Sequence, residues 1–182
     1  MPESPVKLII LDRDGVINED SDLYIKSVAE WRPLKGSAEA IARLNHAGYR
    51  VVVATNQSGV GRGLFDMATL NLMHEKMHKV VAQAGGRIDA VFYCPHKDDD
   101  HCTCRKPKAG MLLEIARRFN RSLKGVPCVG DAVRDMQAGA EAGCELVLVK
   151  TGKGMKTLAA GNLPAGTRVF DDLAAVAAHY CA

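Results

Sequence analysis

The chain reads as an α/β protein, a doubly wound parallel sheet sandwiched by helices in the Rossmann manner. Three observations predict this. Short β-branched runs recur from one end of the 182 residues to the other, helical patterns stand between them, and the connections are short. The runs are apolar without alternation, as expected of strands buried on both faces.

The first run, residues 6–11, stops at Asp12, and the second, residues 50–54, stops at Thr55. Residues 90–93 lead into Cys94, residues 126–129 into Gly130-Asp131, and residues 145–149 into Lys150-Thr151-Gly152. A weaker last strand is expected over 167–170. Between the strands, Ser37 is expected to cap a helix running to His46 and stopped by Gly48. Asp66 is expected to cap a longer one through Ala84, stopped by Gly85-Gly86. Helices over 109–119, 132–142 and 172–180 complete the set. No internal repeat, low-complexity tract or linker interrupts them, so residues 1–182 are expected to form one domain. Residues 16–35 and 94–108 are polar and irregular. Both leave the carboxyl ends of strands, where an open α/β sheet carries its chemistry.

The composition is 47% hydrophobic and 25% charged, that of an ordinary globule. No apolar run approaches the roughly 18 residues of a membrane span, and residues 1–5 do not start a secretory signal. A cytoplasmic location with no membrane partner is therefore expected. The net charge of +3 is too small, and its lysines and arginines too scattered, to argue for nucleic acid. A monomer is expected.

Asp12-Arg13-Asp14-Gly15 ends the first strand. Two unpaired carboxylates crowded at a buried strand end would repel one another, and a hard divalent cation such as magnesium relieves them. A lone Asp-x-Asp-Gly is also compatible with simple turn capping; the residues at the other strand ends decide between the two. Thr55-Asn56-Gln57-Ser58-Gly59 offers a hydroxyl and successive backbone N–H groups in a Gly-bearing turn, a cradle for phosphoryl oxygens. Arg105-Lys106-Pro107 precedes a helix, and Gly130-Asp131 with Asp135 follows the fourth strand.

These four strings, in this order, resemble the motifs of the haloacid dehalogenase superfamily of phosphatases over residues 6–151. The resemblance implies that Asp12 is the nucleophile and Asp14 the general acid and base. It implies that Thr55, helped by the Asn56 backbone, and Lys106 stabilise the phosphoryl group. Magnesium would be held by the Asp12 carboxylate, the Asp14 backbone carbonyl and Asp131. Asp135 is either a supporting group or a favourable charge in the first turn of its helix.

Cys94-Pro95-His96 and Cys102-Thr103-Cys104 form two pairs with five residues between them. Three thiolates and one imidazole make a closed tetrahedral set, the mark of a structural zinc ion. His101 competes with His96 as the fourth ligand. Cys128, Cys144 and Cys181 read as apolar filler. Because the loop runs directly into Arg105-Lys106, a zinc clamp would hold two substrate-facing cations in place.

Neither gap between motifs has room for a separate cap domain, so the site is expected to be covered only by residues 18–34 and the zinc loop. Two zinc-bearing capless groups of the superfamily compete, one acting on a sugar bisphosphate and one on histidinol phosphate. The string from Thr55 to Gly63 and Cys104-Arg105-Lys106-Pro107 resemble the sugar-bisphosphate group. Arg105 then meets the phosphate that stays on the sugar. Asp20, Asn56, Gln57 and Ser58 are expected against the remainder of the substrate. A reading of a different class is a zinc-stabilised phosphate-binding module without turnover.

Overall fold

The computed structural model describes residues 6–182. Six parallel strands form one sheet: β1 (Lys7–Leu11), β2 (Tyr49–Asn56), β3 (Ala90–Cys94), β4 (Pro127–Gly130), β5 (Glu145–Val149) and β6 (Arg168–Phe170). Their order is β3-β2-β1-β4-β5-β6. The helices are α1 (Ser37–His46), α2 (Ser58–Gly61), α3 (Met67–Gln83), α4 (Gly110–Arg118), α5 (Val133–Glu141), α6 (Gly154–Ala160) and α7 (Leu173–Tyr180).

Alternate residues of the central strands feed opposite faces. Ile9, Leu11, Val51 and Val53 pack with α1, α3 and α7, whereas Leu8, Ile10, Val52 and Ala54 pack with α4 and α5. That two-sided burial explains why these strands lack polar alternation. The strand order reverses at β1, which pairs with both β2 and β4. At such a switch point the loops diverge and leave a crevice beyond the carboxyl ends. Asp12, Asn56 and Asp131 stand there, at or next to the ends of three adjacent strands.

The expected cap at Asp66 holds, accepting from the Thr69 N–H at 2.8 Å, and Asp172, expected as the first residue of its helix, instead caps α7 by accepting from the Ala175 N–H at 2.8 Å. Ser37 is not the cap of α1. Gly36 takes that place with φ 80°, and the Ser37 hydroxyl instead donates to the carbonyls of Ile17 and Leu34. It thereby ties α1 to the irregular segment before it. Within that segment Trp31 is wholly buried against the core. Burying an indole of this size is worth roughly 4–6 kcal/mol by area. Lys76 of α3 donates to the carbonyls of Val28 and Trp31. Residues 16–35 are therefore pinned without regular structure of their own. Among the described residues no helix is long and apolar enough to cross a membrane.

Candidate active site

The end of β1 delivers Asp12 into the crevice, and its backbone N–H still donates to Val129 of β4. Carboxylate oxygens of Asp12, Asp131 and Asp135 lie within 4.8 Å of one another, all buried. Such crowding is possible only because the backbone makes room. Gly15 has φ +84°, and a Cβ there would stand 2.0 Å from Asp131 Oδ2; at Gly152 the figure is 2.3 Å. Both positions require glycine twice over, for conformation and for space.

Lys106 supplies the compensating charge. Its ammonium sits 3.2 Å from Asp12 Oδ1 and 2.8 Å from Asp135 Oδ1, and donates to the Ala54 carbonyl at 2.8 Å. Burial alone would discharge the amine, but Asp12 and Asp135 overcome that and hold it protonated. Asp135 is fully engaged: its other oxygen accepts the N–H groups of Asp131 and Ala132. It therefore shapes the Asp131 turn and orients Lys106.

One ammonium does not neutralise three carboxylates. Burial, then repulsion from Asp135, pushes Asp12 up to about 7, and burial, then repulsion from Asp12, pushes Asp131 up to about 8. A pair of oxygen ligands that resists ionisation unless a cation joins it fits magnesium by charge and by hardness. Asp12 and Asp131 are the residues with free oxygens for it.

Asp14 points away from this cluster. Arg13 Nε meets its Oδ1 at 2.8 Å, Asn18 Nδ2 donates to the same oxygen, and Gln57 Nε2 donates to Oδ2 at 3.1 Å. Burial raises this carboxyl, but the Arg13 guanidinium and these hydrogen bonds outweigh it and hold it below the usual carboxylate range. Arg13 is itself wholly buried. Its fork spans Asp14, Gln57 Oε1 at 3.2 Å and His74 Nε2 at 3.2 Å. Burial, then Arg13, brings His74 down to about 4, so the ring is neutral and accepts the guanidinium proton.

Asp12, Asp14, Asp20, Thr55, Asn56, Gln57, Ser58 and Arg105 line one cleft of about 220 Å³. The structure thus brings every sequence-predicted catalytic and substrate residue except Lys106 to its wall, and Lys106 lies just beneath, against Asp12. Two of these side chains serve the protein itself. The Asn56 amide pairs in both directions with the Lys106 backbone, and Gln57 holds Asp14 and Thr55. Each amide positions a neighbour. Asp20 pairs with Lys153 at 3.2 Å. Arg13, His74, Arg62, Asp98, Arg134 and Lys153 were not legible as site residues.

Beside the cleft, Cys94, His96, Cys102 and Cys104 converge. Cys94 Sγ lies 3.4 Å from His96 Nδ1, 3.7 Å from Cys102 Sγ and 3.1 Å from Cys104 Sγ, which in turn lies 3.4 Å from His96 Nδ1. A tetrahedron with metal–sulfur bonds of about 2.3 Å has edges of about 3.8 Å. The observed separations sit at or a little inside that size, so the four donors fit zinc. His101 is not among them.

A parallel sheet with three buried aspartates and a lysine at its switch point defines a hydrolase of the haloacid dehalogenase class. The HAD-hydrolase-like family model matches residues 103–176. The D-glycero-beta-D-manno-heptose-1,7-bisphosphate 7-phosphatase of Bordetella bronchiseptica is 63% identical over 172 residues, covering 94% of this chain and 96% of its own. That of Pseudomonas aeruginosa is 55% identical over 170 residues, covering 93% and 95%. The crystal structure of the B. bronchiseptica D,D-heptose 1,7-bisphosphate phosphatase complexed with magnesium and phosphate superposes with a TM-score of 0.95 at 62% identity, covering 96% of this chain and 97% of that one. The chain belongs to this heptose-bisphosphate phosphatase family.

Proposed function

We propose that this chain removes the 7-phosphate of D-glycero-β-D-manno-heptose 1,7-bisphosphate as a phosphoric monoester hydrolase. The β anomer is that of the relatives' substrate. The observation that carries the reading is the meeting of Asp12, Asp131 and Lys106 at the floor of a cleft whose wall holds Asp14. The retained product, a heptose 1-phosphate, suits the precursor synthesis of lipopolysaccharide or another surface glycan.

Asp12 attacks phosphorus, forming an acyl phosphate as the bond to the C7 oxygen breaks. Asp14 hands its proton to that leaving oxygen, and then takes one from the water that attacks the acyl phosphate, releasing inorganic phosphate. Asp14 is ionised at rest; the phosphoryl dianion arriving beside it opposes that charge and favours uptake of the proton it must donate. Lys106 and Thr55 meet the equatorial oxygens, where charge spreads in the transition state. Arg13, fixed by His74 and Gln57, keeps Asp14 in one orientation throughout. Magnesium, bound by Asp12, Asp131 and the Asp14 carbonyl, would orient the phosphoryl group and screen its charge.

Cys94, His96, Cys102 and Cys104 hold structural zinc in this reading, and the zinc orders the wall carrying Arg105 without touching the reacting bond. Residues 1–182 act as one cytoplasmic domain, a monomer without nucleic-acid or membrane partners. The test is phosphate release from the heptose bisphosphate and from histidinol phosphate, each with magnesium and with chelator. The bisphosphate should be preferred at least about tenfold, equivalent to about 1.4 kcal/mol. Faster cleavage of histidinol phosphate overturns the substrate, and no release from either overturns the enzyme.

A further inference from the structure

Outside the reacting centre, the cations of the cleft are not equally engaged. Arg13 answers Asp14, Lys106 answers Asp12 and Asp135, and Lys153 answers Asp20 and Asp22. Three arginines remain. Arg62 Nη2 and Arg105 Nη2 converge on a single oxygen of Asp98, at 3.2 and 3.0 Å. Arg134 forms no ion pair among the described residues, and its Nε is buried without a hydrogen-bond partner. All four side chains line the cleft that holds Asp12, and Asp98, Arg105 and Arg134 also line an adjoining hollow of about 290 Å³.

Two features point to a ligand. A buried guanidinium N–H without an acceptor is costly in a finished protein and is expected where an incoming group completes it. Two forks sharing one oxygen of an exposed carboxylate leave most of their donors unused, whereas a phosphate offers three oxygens to them. A phosphate monoester carries about −1.5 to −2 at neutral pH, a charge that three guanidinium groups are suited to meet. The arginines come from different elements: Arg62 from just past α2, held over the Tyr24 ring at 5.9 Å, Arg105 from the zinc loop, Arg134 from the first turn of α5.

Resting on the proposed function, we propose that Arg62 and Arg134 join Arg105 as the seat of the phosphate that the sugar keeps. Asp98 is the internal anion that occupies two of the three arginines until substrate arrives. Arg62 and Arg134 are then specificity residues that favour a bisphosphate over a monophosphate, and the zinc loop carries both a binder and the competitor it must release.

The test compares kcat/KM for the heptose 1,7-bisphosphate and the heptose 7-phosphate across Arg134→Ala, Arg134→Lys, Arg62→Ala and Asp98→Asn. The bisphosphate-to-monophosphate ratio should fall at least about tenfold in R134A and R62A, chiefly through KM, and recover in part in R134K. Asp98 is exposed, so D98N keeps the fold, and it should lower KM for the bisphosphate about twofold or more. Ratios unchanged in both arginine variants, or D98N weakening the bisphosphate as R134A does, overturn the inference while leaving the proposed function standing. A wild-type enzyme inert toward the bisphosphate overturns the proposed function and the inference with it.

Discussion

Replacing Gly15 by alanine should separate the acid cluster from the rest of the fold. The new methyl group would stand 2.0 Å from Asp131 Oδ2 and 2.5 Å from its Cγ, while ordinary contact begins at 3.4 Å. Asp131 must therefore retreat by about 1.4 Å, or the backbone at Gly15 must open by the same amount. A misplacement of roughly 1 Å at a reacting centre costs on the order of 100-fold in rate, about 2.7 kcal/mol. In addition, φ +84° imposes about 1–2 kcal/mol of left-handed strain on any other residue. For a chain this long that corresponds to a fall in Tm of roughly 2–8 °C. Gly125→Ala is the control: its φ is +72° with nothing within 4 Å of the added atom. It should show the same order of thermal loss with full turnover. Phosphate release against magnesium concentration, together with thermal melts of both variants, reads out the two components. If G15A keeps kcat/KM within about threefold of wild type and an unchanged magnesium requirement, Gly15 is not what lets Asp131 reach Asp12.

Asp12→Asn should abolish phosphate release while the melting transition survives; substantial residual turnover would remove Asp12 as nucleophile. Cys102→Ser should lose zinc by metal analysis and raise KM more than it alters the magnesium requirement, whereas zinc-free wild-type protein would refute a metal clamp in the loop. The carboxyls of Asp12 and Asp131 bind protons more tightly folded than unfolded, with an ordinary value of 3.8 against about 7 and about 8. Their contribution to stability is thus present below about pH 4 and lost as pH climbs through about 7 to 8. Since magnesium answers the charge that causes this loss, the Tm gain on adding it should grow between about pH 5 and pH 8. A gain that is flat across this range would show that these two groups are not the ligands.

What was legible in the sequence was whatever depends on local pattern. The buried strands announced themselves because a two-sided core demands uninterrupted apolar residues, and β5 falls on its expected bounds. Asp66 was readable because a side-chain cap is a contact within three residues. Ser37 misled because Gly36 already turns the chain, freeing the hydroxyl for carbonyls 20 and 3 residues away. The short helices α2 and α6 span four and seven residues, too few to display a 3.6-residue period. The position of the acid cluster was legible because its residues end or follow strands. Its supports were not. Arg13 looks like a solvated residue in a polar motif, and only the fold reveals that His74, 61 positions later, meets it in the interior. In the same way nothing marks Asn56 and Gln57 as internal props, because each uses its amide on partners set by strand geometry.

A zinc ion on Cys94, His96, Cys102 and Cys104, as proposed, would make recognition and chemistry respond differently to its loss. Fixing the backbone of residues 94–108 costs on the order of 15–30 kcal/mol, yet only Cys94 and Lys106 among them are buried, and past the end of β3 at Cys94 only a three-residue 3₁₀ turn is regular. Apolar burial cannot hold such a segment, whereas a structural zinc ion would contribute about 10–16 kcal/mol. Arg105 and Lys106, however, would not depend on it equally. Lys106 is also anchored by the Asn56 amide, the Ala54 carbonyl, Asp12 and Asp135. Among the described residues Arg105 has only the exposed Asp98 and the His96 carbonyl, and both belong to the loop. Removing the proposed zinc should therefore release Arg105 and Asp98 together while Lys106 stays against Asp12, so the loss should appear in KM for the bisphosphate before it appears in kcat.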